Sequence, residues 1–497
     1  MPNVLLGGPI MRYRLLTLAV PAILAIAVLT AAVRTSEDRE QTRYASVLIA
    51  DVPHVRQKPD FCGEACAAMY LRKLGQPVDQ DYVFDQSGLD PMAARGCYTK
   101  ELAVALANLG FKVGPVWHKI PSAGAGESLE ALWKQLHVDL AAGIPSIVCT
   151  RYGQRPDATE HFRLILGYEA ESDEVIYHEP ADDDGAYRRM DRAAFLGLWP
   201  LKYDARQWTV IILRLEPGTM KRGTAASTFT AADYAQHMMK LKPKIPGGEF
   251  TIVIQPPFVV IGDQSPARVK ASAQGTIQWA VDKLKQAYFE KDPVEILDIW
   301  LFKDSDSYEK HVEQVFRTRP STPFGYFSDT DRALVMNIQT GGGTLVHEIV
   351  HPFMAANFPG CPAWFNEGLG SLYEQCAEVD GRIEGLTNWR LVGWERHDDG
   401  LQRAIREGRV PSFKTLCSTT DRQFYREDPG TNYSQARYLC YYLEQHRLLR
   451  KFYHRFRANW ATDPTGYNTL KEILGRDDMD AFQKDWEAYV LKLKFPS

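Results

Sequence analysis

Positive charge is not in excess in this 497-residue sequence: 58 Lys and Arg stand against 62 Asp and Glu, a net charge of −4. Nucleic-acid binders carry the opposite imbalance, so nucleic acid is excluded as the expected partner. The one basic cluster, "RKFYHRFR" (450–457), reads as the solvated face of an amphipathic helix. No internal repeat and no long low-complexity segment is present, which excludes a repeat architecture. Cysteine is sparse, eight in all, and none follows the N-terminal hydrophobic run before Cys62. That gap argues against a lipid-anchored lipoprotein. Apolar (45%) and charged (24%) shares are ordinary for globular domains. At roughly 150 residues per domain the length suggests two to four domains.

At the N-terminus, Arg12 and Arg14 precede an uncharged run from Leu15 to Val33, with Thr30, Ala31 and Ala32 near its end. Residues 1–34 thus read as a secretory signal peptide or a single membrane anchor. The run is near the ~20 residues that span a bilayer, so its length does not choose between the two. Either reading places the folded part outside the cytoplasm, periplasmic or secreted, where disulfides persist. With Cys62 kept as a free thiol, the expected pairs are Cys66–Cys97, Cys361–Cys376 and Cys417–Cys440, with Cys149 buried in a strand. Spacing does not establish such connectivity.

A first domain is expected over 45–215. It opens with a helix from Cys62 to about Leu74, ended by Gly75. It closes with the strands "IPSIVCT", "HFRLILGYEA", "EVIYHEP" and "WTVIILRLEP". A weakly patterned connector follows over 216–247. The second domain, 248–497, begins with a strand pair, "FTIVIQPPFVVIGD". It then turns mostly helical, as in "TIQWAVDKLKQAYFE" and "QARYLCYYLEQHRLLRKFYHRF".

The stretch "GGGTLVHEIVHPF" (341–353) carries the strongest chemical signal. His347 and His351 lie one helical turn apart, so both rings share a face and can grip one tetrahedral zinc. Glu348, beside the first ligand, suits a general base for metal-assisted hydrolysis. Thr344 is the expected N-cap. "RALVMNIQ" (332–339) is expected to be an edge strand that an extended peptide can pair with. The third ligand is expected to be Glu367 in "PAWFNEGLGSLYE", with Glu374 and Glu378 as competitors. Pro352 is expected to kink or end the helix at His351. The plain alternative is an exposed helix whose histidines do nothing.

These residues resemble the gluzincin metallopeptidases, the thermolysin-like and aminopeptidase-like group. The matching positions are His347, Glu348, His351 and Glu367, with Asn366 and Gly368 flanking the last, and the resemblance covers roughly 250–445. It implies a bound Zn2+ and hydrolysis of peptide bonds. It also implies a downstream tyrosine that stabilises the oxyanion, Tyr433 first and Tyr438 second. The other large zinc-peptidase pattern needs Gly and then His after the second ligand. Met354 and Asn357 stand there instead.

The second signal is "VPHVRQKPDFCGEACAAMYLRKLG" (52–75). Cys62 begins a helix, whose dipole favours a thiolate. Gln57 can donate its side-chain amide to an oxyanion. His161 opens a strand and suits a base, and Glu179 ends the next strand and can orient that imidazole. Asp182 is the alternative orienter and His178 a competing histidine. Cys66 reads as core or disulfide.

Gln57, Cys62, His161 and the pair Glu179–Pro180 resemble the papain-like peptidases that process bacteriocin leaders, over about 48–215. The departure is Glu179, where that family usually has Asp. The extra methylene changes the reach of the carboxylate.

The fold expected is therefore an α+β multidomain chain. A papain-like α+β domain precedes a mostly helical, thermolysin-like domain with a small edge-strand sheet. The expected function is extracytoplasmic peptide hydrolysis with Zn2+ as cofactor and peptide or protein as partner. The alternative is an inactive protein that binds peptides or cell-wall fragments around a structural zinc. The connector 216–247 is itself a reasonable target for one of the domains.

Overall fold

The computed structural model describes residues 44–155, 157–221, 229–320, 322–393, 400–427 and 431–495. The expected signal peptide or anchor, 1–34, lies outside the described residues. None of the described helices is long and apolar enough to cross a membrane. The chain divides into two compact units. Unit 1 is Met1–Ser87 with Cys97–Arg222, and unit 2 is Gly88–Gly96 with Gly223–Ser497.

Unit 1 holds strands β1 (Val47–Leu48), β2 (Phe111–Lys112), β3 (Trp117–Pro121), β4 (Ser146–Arg151), β5 (Glu160–Glu169), β6 (Glu174–His178), β7 (Arg188–Asp191), β8 (Gln207–Arg214) and β9 (Glu216–Pro217). Its main sheet runs β3-β8-β4-β5-β6-β7, with β1 also on β5, and every pairing is antiparallel. Helix α1 (Cys62–Lys73) buries Ala65 to Leu71 and packs on β4 and β5. Helix α2 (Ala125–Ala141) inserts Trp133, Leu136 and Leu140 against Val148, Ile165 and Val210. These β-branched residues recur along the strands because alternate side chains share a face.

The region expected as a connector contains a helix, α3 (Ala231–Leu241), inside unit 2. Thr230 and Asp233 form a capping box, and Tyr234, Met238 and Leu241 enter a core. Apolar residues three and four apart were present there, so the helix was legible and a Thr/Ala-rich composition obscured it.

Unit 2 is built on β10 (Thr251–Gln255), β11 (Phe258–Gly262), β12 (Leu297–Phe302), β13 (Gly325–Ser328) and β14 (Ala333–Asn337), ordered β10-β11-β12-β14-β13. The expected strand pair is the antiparallel β10–β11 hairpin; β11, β12 and β14 run parallel. β11, β12 and β14 are buried throughout because both faces are covered. Val260, Ile299, Leu334 and Met336 face one core, while Ile261, Trp300, Phe302 and Val335 face another. The segment expected as an edge strand is thus an inner one. β13 pairs antiparallel with β14 and takes the edge. A small hairpin, β15 (Cys376–Val379) and β16 (Arg382–Gly385), follows the site helices.

Helix α4 (Gln278–Ala287) packs Val281 and Leu284 into the larger core. Helix α5 (Gly343–Asn357) carries both histidines, and α6 (Ala363–Tyr373) follows it. One expectation fails on α5: its N-cap is Gly342, not Thr344, and no side chain caps it. Of the two outcomes expected at Pro352, a kink or an end, the helix does not end there; it continues to Asn357. Phe353 and Met354 are buried past the proline, and Asn357 bonds Lys291 and Phe353, so packing holds the last turn. Helices α7 (Asp421–Arg426), α8 (Thr431–Gln445) and α9 (Leu449–Asn459) complete the wall behind the site. The chain breaks between α8 and α9 where Arg447 adopts a left-handed φ of 58°. On α9, Phe452, Tyr453 and Phe456 are buried while Arg450, Lys451 and Arg455 are exposed, as the amphipathic pattern required.

All eight cysteines are free thiols, so none of the three expected disulfides forms. Each sulfur has other neighbours: Cys66 faces the Phe162 carbonyl, Cys97 lies beside Glu64, and Cys417 and Cys440 are packed in the large core.

Candidate active sites in the two units

In unit 2, α5 turns Leu345, Val346, Ile349, Val350 and Phe353 into the core. Its opposite face presents His347, Glu348 and His351 to a cleft of about 2100 Å3. Glu367 reaches the same point from α6. The donor atoms of His347, His351 and Glu367 all lie within 4.8 Å of one another. His347 Nε2 is 3.1 Å and His351 Nε2 is 3.9 Å from Glu367 Oε2. Two imidazole nitrogens and one carboxylate oxygen are a donor set that zinc accepts with a fourth position open.

The other nitrogen of each ring is also held. His351 Nδ1 meets Asn366 Oδ1 at 3.1 Å, and His347 Nδ1 meets Glu374 Oε1 at 3.1 Å. Arg390 donates to Glu374 from Nη2 (2.9 Å) and Nε (3.2 Å), and Asn388 Nδ2 adds a third bond at 3.2 Å. Tyr425 donates to Glu367 Oε1 at 2.7 Å. The residues that sequence reading missed are therefore Arg390, Asn388 and Tyr425. Glu374 and Glu378 were weighed there only as rival ligands. Glu374 orients His347, and Glu378 is held by Trp279 and Lys283.

Glycine admits this packing at two positions. A Cβ at Gly370 would stand 3.1 Å from His347 Nε2, and one at Gly343 only 2.0 Å from the Glu374 carbonyl oxygen.

The electrostatics favour a cation. Glu348, Glu367 and Glu374 crowd the two histidines, and Arg390 offsets one of the three carboxylates. Burial opposes the charged form of Glu367, but the His351 charge and the His347 hydrogen bond hold it at about 2. Burial opposes the charge on His347 too, yet bonds to Glu367 and Glu374 push it up to about 10. Burial raises Glu348, with the two histidines pulling the other way.

Tyr433 lines the cleft, with the Arg390 guanidinium 5.3 Å from its ring centroid. Tyr438, its rival, is fully buried and bonds the backbone of Asn388. β13 contributes Gly325 and Phe327 to the cleft wall.

In unit 1, β5 places His161 and Arg163 on one face by strand alternation. Both reach the Glu179 carboxylate: His161 Nε2 bonds Oε1, and Arg163 Nε donates to Oε2 at 2.8 Å. Ala181 N–H adds a bond to Oε1 at 3.1 Å. Burial raises Glu179, but the His161 bond and the charges of His161 and Arg163 outweigh it and hold it low. Asp182, the alternative orienter, instead pairs with Arg188. His178 packs against His54 and Tyr187, and burial pushes it down to about 4. Gln57 is fixed nearby by its N–H to the Pro180 carbonyl, and its side-chain oxygen is buried.

Cys62 does begin α1, and its side chain is half-buried. Burial, seconded by Glu64 and Asp60, pushes the thiol up to about 12 against the amides of Phe162 and Gly63. Helix polarity is the weaker effect here. No hydrogen bond joins Cys62 to His161; the sulfur takes the amide of Phe162, the next residue.

The family model described as the Peptidase_C39 like family matches residues 49–206, about a third of the chain and all within the span of the first sequence domain. Unit 1 therefore carries a papain-like, cysteine-peptidase-related domain. No curated protein matches the chain.

Proposed function

We propose that the chain is an extracytoplasmic peptidase whose hydrolytic centre is the His347–His351–Glu367 site. The observation that carries this reading is the convergence of three ligand atoms within 4.8 Å, with Glu348 on the adjoining turn. A purely structural zinc needs no such base. Zinc held there supplies a Lewis acid for a peptide carbonyl. Glu348, raised by burial, is suited to accept a proton from the attacking water and pass it to the leaving amine. Burial keeps the Tyr433 phenol protonated, so its O–H can donate to the oxyanion. The outer edge of β13 offers backbone groups to an extended peptide. The uncharged run Leu15–Val33 supports placement outside the cytoplasm, anchored or secreted.

Digestion of a degenerate peptide pool, read by mass spectrometry, tests the proposal. Wild type, Glu348→Ala, Cys62→Ala and the double variant are compared. Loss of all cleavage with Glu348→Ala alone supports it. Unchanged cleavage by Glu348→Ala refutes it.

For unit 1 a second reading has its own support. Cys62 makes no hydrogen bond to His161, which is held by Glu179, and this favours a groove that binds peptides over one that cuts them. A separate set of products lost in Cys62→Ala would overturn that reading.

A further inference from the structure

Arg163 has no part in the function just described, yet it is among the most committed side chains of unit 1. It is an arginine with 4% of its surface exposed. Its Nε donates to Glu179 Oε2 at 2.8 Å. Nη1 bonds the Thr150 hydroxyl and the Arg151 carbonyl, and Nη2 the Tyr152 carbonyl at 3.2 Å. The guanidinium lies between two tyrosine rings, 5.5 Å from the centroid of Tyr152 and 5.7 Å from that of Tyr177. The Tyr152 ring also stands edge-on to His161, with centroids 4.9 Å apart. Side chains from β4, β5 and β6 and the turn after β4 thus meet at one cation.

A buried carboxylate has two oxygens to satisfy, and a glutamate has one more rotatable bond than an aspartate with which to place them. Without Arg163, His161 and the Ala181 N–H would both hold Oε1, and Oε2 would be left as an unpaired buried oxygen. The guanidinium supplies that partner. It fixes Oε2 from a frame anchored on the neighbouring strand, and so aims Oε1 at His161 Nε2. With Nε2 engaged as donor, Nδ1 is the lone-pair nitrogen, the one available to a thiol or ligand proton. The same oxygen cannot be aimed by Asp182, which is committed to Arg188.

We infer that Arg163 is a positioning residue that fixes the tautomer and orientation of His161 through Glu179, and so lets glutamate do the work of the shorter aspartate. The inference deepens the cysteine-peptidase-like reading of unit 1 and rests on His161 being its working imidazole.

The test uses the full chain with 15N-labelled histidine, His161 being assigned by difference from His161→Gln. Variants are Arg163→Met, Arg163→Lys, Glu179→Gln and the Arg163→Met/Glu179→Gln double. The pH dependence of Cys62 alkylation by iodoacetamide, read on the Cys62 peptide, is measured in parallel. In the wild type the His161 signals are expected to be those of the Nε2–H form. Arg163→Met should mix the tautomers as Glu179→Gln does, the double variant should add nothing further, and Arg163→Lys should restore the wild-type signature in part. An Arg163→Met protein that keeps the wild-type His161 signature overturns the inference, as does additive loss in the double variant. If Arg163→Met does not fold, Arg163→Lys still decides: a full wild-type signature beside a lost one in Glu179→Gln would leave no need for the planar fork. A Cys62 alkylation profile that His161→Gln leaves unchanged defeats the Cys–His reading itself, while the tautomer result still decides the role of Arg163.

Discussion

Glu374→Gln is the variant that tests the zinc reading most sharply, because it changes no ligand. Glu374 lies behind His347, its Oε1 3.1 Å from Nδ1, and its carboxylate takes three further bonds from Arg390 and Asn388. A glutamine keeps the shape but has one acceptor oxygen. That oxygen can serve His347 or Arg390, and the new NH2 then meets another donor. A hydrogen bond to a charged group, worth about 1.5–3 kcal/mol, is lost or distorted. The Arg390 charge also loses its counter-ion close to the metal position. Removing such an outer partner of a metal-bound histidine costs about 10–100-fold in affinity, or about 1.4–2.7 kcal/mol. At a fixed free zinc concentration well above Kd, zinc then stabilises unit 2 by that much less. For a domain of this size the zinc-dependent rise in Tm should shrink by about 3–10 °C. Competition against a chromophoric chelator measures the affinity, and melting with and without zinc measures the stabilisation. Glu378→Gln is the control, since Glu378 is held by Trp279 and Lys283 and should not matter. An affinity for Glu374→Gln within twofold of wild type would falsify the argument and leave packing alone to orient His347.

Three further outcomes are expected. Gly370→Ala sets a Cβ 3.1 Å from His347 Nε2 and should weaken zinc binding by about tenfold while the domain stays folded, read by the same competition and by circular dichroism. Tyr433→Phe should cut kcat by about 100-fold and leave zinc affinity unchanged, whereas Tyr425→Phe, which frees Glu367 Oε1, should weaken zinc binding instead. Glu444 is half-buried, bonded to Tyr373 and the Gly385 amide, and its desolvation raises it to about 7. Its folded pKa lies above the unfolded value, so native unit 2 holds the extra proton between about pH 4.5 and 7, and stability falls as pH rises through that window. Glu444→Gln should flatten this slope, which amounts to about 3 kcal/mol at most, in denaturant titrations from pH 4 to 8. Glu64 in unit 1, also raised to about 7, should keep its own slope.

What the sequence disclosed was set by how local the signal was. His347, Glu348 and His351 lie on two turns of one helix, so spacing alone put them together. Glu367 is legible because "NEG" lies within the next helix, Ala363–Tyr373. Arg390 comes from a short turn beyond a hairpin, after a loop whose path no periodicity describes, and nothing local marks it as a partner of Glu374. The mistake over β14 has the same origin. A strand reads alike whether a neighbour lies on one side or on both, and only the tertiary pairing with β13 made it an inner strand. Of the kink or end expected at Pro352, the end does not occur, because burial of Phe353 and Met354 offsets the missing N–H. At Cys62 the motif locates the helix start, but the surroundings that raise the thiol, Glu64 and Asp60 beside a half-buried sulfur, are not written in it.

The two units orient their working histidines by one device with opposite results. In each, a glutamate stands between an imidazole and an arginine: Glu179 between His161 and Arg163, Glu374 between His347 and Arg390. The arginine holds the far side of the carboxylate, and the carboxylate decides which ring nitrogen carries the proton. At His161 the glutamate takes Nε2 and leaves Nδ1, the nitrogen nearer the backbone and suited to a proton held close to its own strand. At His347 the glutamate takes Nδ1 and leaves Nε2, the far nitrogen, which projects beside Glu367 and His351. Here the far nitrogen is the one that lies with the Glu367 and His351 atoms within 4.8 Å. On the functions proposed above, each site depends on a carboxylate that orients its histidine from behind.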